Sequence, residues 1–119
     1  MTEPTTNARV RDYFEGTGGS YAETLSPGNG AAVAPSEDTR TAVVTADGTN
    51  TVDLSNNERE GHEVTVVHNG GANTPTIAFD DADFVGTGPA NMTSAGATAT
   101  VRNIDGTAAG WVVTGTGSA

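Results

Sequence analysis

A mainly β fold, a small antiparallel β-sandwich or barrel preceded by an extended N-terminal arm with at most a short helix, is what this sequence predicts. Three observations lead there. From about Thr39 onward, five or six short runs rich in Val and Thr recur at intervals of roughly 10 to 15 residues, separated by Gly, Asn and Asp, the rhythm of linked strands in sandwiches and barrels. Helical periodicity is confined to one short stretch near the N-terminus. Phe, Val, Ile and Leu together supply only nineteen of the 119 residues, so the core is small and the chain holds one compact domain rather than two.

Residues 1–38 read as the arm. They are broken by Pro4, by Gly16-Thr17-Gly18-Gly19, by Ser26-Pro27-Gly28-Asn29-Gly30 and by Pro35, all punctuation that regular structure avoids. Between the breaks, residues 8–15 place Val10, Tyr13 and Phe14 at i, i+3 and i+4 behind Asn7, a residue type that caps helices. Eight residues are marginal as a helix alone. The arm is therefore expected to order by packing on something else, with Val10, Tyr13, Phe14 and Tyr21 as its anchors, because aromatic side chains dominate interface energetics.

Residues 39–119 read as the β domain. Residues 41–45 form a first strand, 46–50 a turn-rich stretch, and 51–54 a second strand alternating as a half-buried one does. After the polar break at 55–61 comes the best strand of the chain, residues 62–69, β-branched and closed by Gly70-Gly71. Residues 76–79 follow Pro75, residues 97–104 run into Asp105-Gly106, and residues 110–115 carry Trp111, the single tryptophan, expected in the core.

The charge pattern excludes several partners. The net charge is -10, all five cations are arginines (Arg9, Arg11, Arg40, Arg59, Arg102), lysine is absent, and the acids are spread from Glu3 to Asp105. Such a chain repels DNA and anionic lipid, whose affinity comes from neutralised phosphates, so no nucleic acid and no membrane is expected as a partner. The chain has no cysteine, which removes disulfides, thiol nucleophiles and cysteine-held metals. No apolar run is long enough to cross a membrane. The acid at Glu3, where a secretory signal needs cations, leaves no export signal expected at the N-terminus.

Candidate chemistry is sparse. His62 and His68 share a strand face but stand about 20 Å apart, too far to share a metal, and are expected as exposed strand-end histidines. Asp80, Asp81 and Asp83 form a carboxylate cluster of the hard oxygen ligands that suit Ca²⁺, without the Asp-x-Asp-x-Asp-Gly spacing of a dedicated calcium loop; otherwise no cofactor is expected. Asn91-Met92-Thr93 is the one acceptor tripeptide for N-glycosylation, at Asn91. No carboxylate pair with aromatic sugar platforms is discernible, and an enzyme is not expected.

Two resemblances follow from these residues. Absent lysine, abundant Asp, Glu, Thr, Ala and Gly, and few large aliphatics resemble the proteins of extreme halophiles, haloarchaea in particular. The order Val52-Asp53-Leu54, Gly61-His62-Glu63-Val64-Thr65-Val66-Val67, the Gly-Gly-Ala-Asn loop at 70–73, Pro75-Thr76-Ile77, Ala95-Gly96-Ala97-Thr98 and the closing Gly110-Trp111-Val112-Val113 resembles β-structured modules of tailed-virus particles, capsid decoration proteins and tail-fibre domains. That resemblance covers a little over half of the chain. It implies a homotrimer on the virion surface, outside the cell in a hypersaline medium, with the major capsid protein or other virion proteins as partners. The expected function is a capsid decoration or head-surface protein that stabilises or adorns the shell through its arm. The alternatives are a turret or tail-fibre module whose loops at 69–74 and 80–91 bind a host receptor or glycan, and a host extracellular β domain.

Overall fold

The computed structural model describes residues 21–118. They form five strands, β1 (Ala22–Leu25), β2 (Thr41–Val52), β3 (Glu63–Phe79), β4 (Thr98–Asn103) and β5 (Trp111–Gly117), with single 3-10 turns at Ser55–Asn57 and Asp81–Asp83. The five strands make one sheet in chain order. The fold is mainly β, as the sequence predicts.

The pairing is mixed rather than antiparallel throughout. β3 with β4 and β4 with β5 run antiparallel, whereas β1 with β2 and β2 with β3 run parallel. The cause lies in two segments whose composition reads as turns. Residues 46–50 do not reverse the chain; they are absorbed into β2 as register shifts between Val44 and Ala46 and between Asp47 and Thr49. Residues 70–75 are likewise internal to β3. A bulge takes up an extra residue and bends the strand without turning it back. β2 therefore keeps its direction, and the link at 53–62 must carry the chain back to where β3 starts alongside, which makes the pair parallel.

The sheet also reaches further into the N-terminal part than the expected boundary between 38 and 39. Ala22–Leu25 adds an edge strand to β2, and Val33 is buried and bridges to Val52. Glu23 holds this region closed: its carboxylate accepts from the Ser36 N–H at 2.8 Å, the Ser36 hydroxyl at 2.8 Å and the Thr39 hydroxyl at 2.7 Å. The expected anchors Val10, Tyr13 and Phe14 lie outside the described residues.

One sheet face carries the core. Alternate residues Ala42, Val44 and Ala46 of β2, Val64 and Val66 of β3, and Ala99 and Val101 of β4 are buried on it, the period of two that a half-buried sheet requires. Ile77 and Phe79 of β3, Trp111 of β5, and Phe84 and Met92 belong to the same buried cluster. Trp111 is fully buried, as the sequence suggests, and Phe79 meets Phe84 edge to face with ring centroids 6.2 Å apart.

With so few large aliphatics, the interior is completed by polar side chains that staple loops. Asn50, fully buried, accepts from the Asp47 N–H at 2.7 Å and donates to the carbonyls of Gly28 at 3.0 Å and Ala31 at 2.8 Å. Asn57 donates to the Ser36 carbonyl at 2.8 Å, and Asn103 donates to the Thr107 carbonyl at 2.9 Å while accepting from the N–H groups of Asp105 and Gly106. Both histidines belong to this set. Expected at the surface, His62 and His68 are 5% and 1% exposed. The reason is their parity with Val64 and Val66 on the core face, where each ring finds backbone partners, Thr39 for His62 and Pro75 and Gly70 for His68. A buried polar group is tolerated when it is so partnered.

Candidate interaction surface

The opposite face of the sheet is built by the other half of the same alternation. Two rows cross all five strands in register. The first runs Ala22, Thr41, Thr65, Thr100, Gly115, and the second Thr24, Val43, Val67, Thr98, Gly117. None of these ten residues is charged, in a chain whose net charge is -10. Each of the ten is exposed or half-buried.

β-Branched residues dominate the middle of this face because they pack well on a pleated surface. Thr65 and Thr100 face each other across β3 and β4 with their hydroxyls 2.9 Å apart, so each side chain is held by its neighbour. At the β5 end glycine replaces side chains, leaving the surface low. Charge returns at both margins: at one Glu63 pairs in register with Arg102, and at the other Asp47 continues the outward alternation of β2 beyond Thr45. Five strands at about 4.8 Å spacing make the face about 20 Å wide. The larger apolar side chains left in solvent among the described residues are Val85, Ile104 and Val113.

Elsewhere the surface is acidic and partly self-neutralised. Arg59 lies 3.6 Å from both Glu37 and Asp38, exposed pairs that contribute little stability. Burial together with the neighbouring Asp80, Asp53 and Glu58 pushes the Asp83 carboxyl above its ordinary value.

The candidate site residues from the sequence fall in separate places. Tyr21 begins the described chain, half-buried, and its carbonyl accepts from the N–H groups of Arg40 at 2.8 Å and Thr41 at 2.9 Å. The three aspartates do not converge. Asp80 accepts from the Ala82 N–H at 2.9 Å, and Asp81 accepts from the Gly88 N–H at 2.9 Å, so two of the carboxylates organise their own loop. Among the described residues no group of three or more His, Asp or Glu side chains could hold a metal ion. Asn91 and Thr93 are both exposed, beside an uncharged groove of about 480 Å³ between residues 89–94 and the end of β5.

Reasoning from the sequence missed the outer face as a unit. The alternation of Thr and Val was visible, but which strands were neighbours was not, and only the register assembles two uncharged rows from four separate runs and a fifth strand that composition assigned to the arm. No helix among the described residues is long and apolar enough to cross a membrane. No protein-family model matches the chain, and no curated protein matches it either.

Proposed function

We propose that this chain is a non-catalytic structural protein of a virus particle, a head-surface or decoration protein that works by docking its uncharged sheet face and its N-terminal segment on the shell. The observation that carries the reading is the charge-free outer face. On a chain repelled by its own net charge, this is the surface where another protein can approach without desolvating a carboxylate.

The size of the face bears on the role of the N-terminal segment. A stable interface buries about 800 Å² per partner, and a patch about 20 Å wide across two side-chain rows falls short of that. Val10, Tyr13 and Phe14, which bring large apolar surface, complete the contact in this reading. The partners are then the major capsid protein and further copies of this chain, in a trimer. The lysine-free acidic composition, which resembles that of haloarchaeal proteins, together with the resemblance in strand order to tailed-virus modules, supports a haloarchaeal tailed virus and a hypersaline medium. The receptor-binding alternative draws less support, because none of the described residues that line the groove at Asn91 is an aromatic on which a sugar could stack.

The test is the copy number of the chain relative to the major capsid protein, by quantitative mass spectrometry of purified particles of a virus that encodes it. Hundreds of copies are expected for a protein on the capsid lattice. A handful would move it to a tail or vertex, and none would overturn the reading.

A further inference from the structure

Two Asn-Gly pairs occur among the described residues, Asn29-Gly30 and Asn69-Gly70, and the fold treats them differently. An Asn-Gly pair can cyclise when the glycine nitrogen attacks the asparagine side-chain carbon, a step limited by removal of the proton from that nitrogen. At Gly30 the N–H donates to the Asp47 backbone carbonyl at 3.1 Å, an acceptor that cannot take the proton. At Gly70 the N–H donates to His68 Nδ1 at 2.9 Å. The other ring nitrogen, Nε2, lies 3.0 Å from the Pro75 carbonyl, which can only accept. His68 is thereby held as the neutral tautomer with its hydrogen on Nε2 and a bare Nδ1 aimed at the glycine nitrogen.

Three further features leave the reaction room. Asn69 is exposed. The pair falls in the register gap of the β2–β3 ladder, which passes from Val44 and His68 directly to Ala46 and Gly71, and beyond the last β3–β4 pair at Val67. The Asn69 amide donates to the Thr45 hydroxyl at 3.2 Å, a single contact that holds its side chain.

We infer that Asn69 is a self-modification site, at which His68 serves as the base for deamidation. His68 Nδ1 takes the Gly70 N–H proton as the nitrogen bonds to the Asn69 side-chain carbon. The imidazolium returns that proton to the side-chain NH2, which leaves as ammonia, and a five-membered succinimide remains. Water then opens the ring at either carbonyl, giving aspartate or isoaspartate at position 69. The net change is one water consumed, one ammonia released and one negative charge gained. The chemistry is independent of the proposed function. If the outer face docks as proposed, the new carboxylate arises at its margin, next to Thr45, and ageing of the chain weakens docking.

The experiment incubates the folded full-length chain at neutral pH, digests it with trypsin and follows the gain of one mass unit at each site, with electron-transfer fragmentation to separate isoaspartate from aspartate. Cleavage after Arg11, Arg40, Arg59 and Arg102 puts Asn29 and Asn69 on different peptides. Asn69 is expected to react about a hundredfold faster than Asn29, the low end of what a positioned base contributes. In urea the two rates should converge, because the sequence context is the same Asn-Gly pair. His68→Gln, checked for folding by circular dichroism, should slow Asn69 alone. Equal rates in the folded chain, or a faster Asn29, overturn the inference without any variant; an unchanged Asn69 rate in a folded His68→Gln chain overturns the role of the histidine.

Discussion

Gly71 lies so close to Ala46 that a β-carbon on it would overlap the Ala46 carbonyl oxygen. This is where the bulged parts of β2 and β3 pass each other in parallel, with Ala46 and Gly71 as register partners and Gly71 at φ 145. Neither the space nor the backbone angle accepts a side chain.

Gly71→Ala should therefore cost about 3 kcal/mol or more, since relief requires a backbone shift in two packed strands. At about 4–8 °C per kcal/mol for a domain of this size, the melting temperature falls by more than 10 °C. Gly30→Ala is the control: it also has positive φ, but nothing lies within 4 Å of its added carbon, and it should lose only about 1 kcal/mol. Thermal melts by circular dichroism compare the two. Similar losses would mean that the crossing yields easily.

The Asn50 staple makes a second prediction. Asn50→Ala removes two bonds to the Gly28 and Ala31 carbonyls and one from the Asp47 N–H, leaving three backbone groups without this partner. At about 1 kcal/mol or more for each, the loss is about 3 kcal/mol. Asn50→Asp keeps the shape but cannot donate to the carbonyls when ionised, so its deficit should shrink as the pH is lowered towards protonation. Urea unfolding of the three proteins at two pH values reads both effects.

These staples also show what was legible in the sequence. The mainly β class, the core-facing Trp111 and the shared face of His62 and His68 follow from alternation, which any window of the chain displays. Chain direction at 46–50 and 70–75 does not follow, because Asp-Gly and Gly-Gly favour a hairpin and a bulge alike, and only the neighbouring strand decides between them. The histidines illustrate the limit most clearly. Their parity with Val64 and Val66 puts them on the core face, but the carbonyls that make burial tolerable lie elsewhere in the chain, Thr39 ahead of β2 and Pro75 beyond the bulged part of β3 itself. The outer face escaped for the same reason, being a property of register rather than of any one run.

His62 should give the fold a weak point in mild acid. Burial lowers its affinity for a proton, the nearby Arg59 and Arg40 lower it further, and the bond to the Thr39 carbonyl and the charge of Asp38 only partly offset this. Its folded pKa thus lies below the ordinary value of about 6.5. Between the two values the unfolded chain binds more protons than the folded one, so stability rises with pH there. It is full above about pH 6.5, declines as the pH falls below that, and levels off once the pH passes the folded value. Urea midpoints measured from pH 7.5 down to pH 5 should show the decline, and His62→Gln should flatten it. A decline unaltered by the substitution would assign it to other groups.

Asp83 and the salt dependence of the whole chain test the electrostatics from the opposite direction. Burial and the neighbouring acids raise the Asp83 pKa on folding, so the folded chain holds this proton more tightly than the unfolded one, and the ionised side chain at neutral pH opposes folding. Asp83→Asn removes that opposition and should raise the melting temperature at pH 7. The gain should be larger at about 0.1 M salt, where the Debye length is about 10 Å, than in molar salt, where it is about 3 Å. For the unsubstituted chain the same screening predicts a melting temperature that rises from low to molar salt, since fifteen acids face five arginines. The Asp80 and Asp81 carboxylates, already used by backbone N–H groups of their own loop, should give no comparable gain when replaced by asparagine. A melting temperature indifferent to salt in both proteins would mean that the repelling acids are too far apart to matter, and would remove the physical basis for assigning the chain to a hypersaline medium.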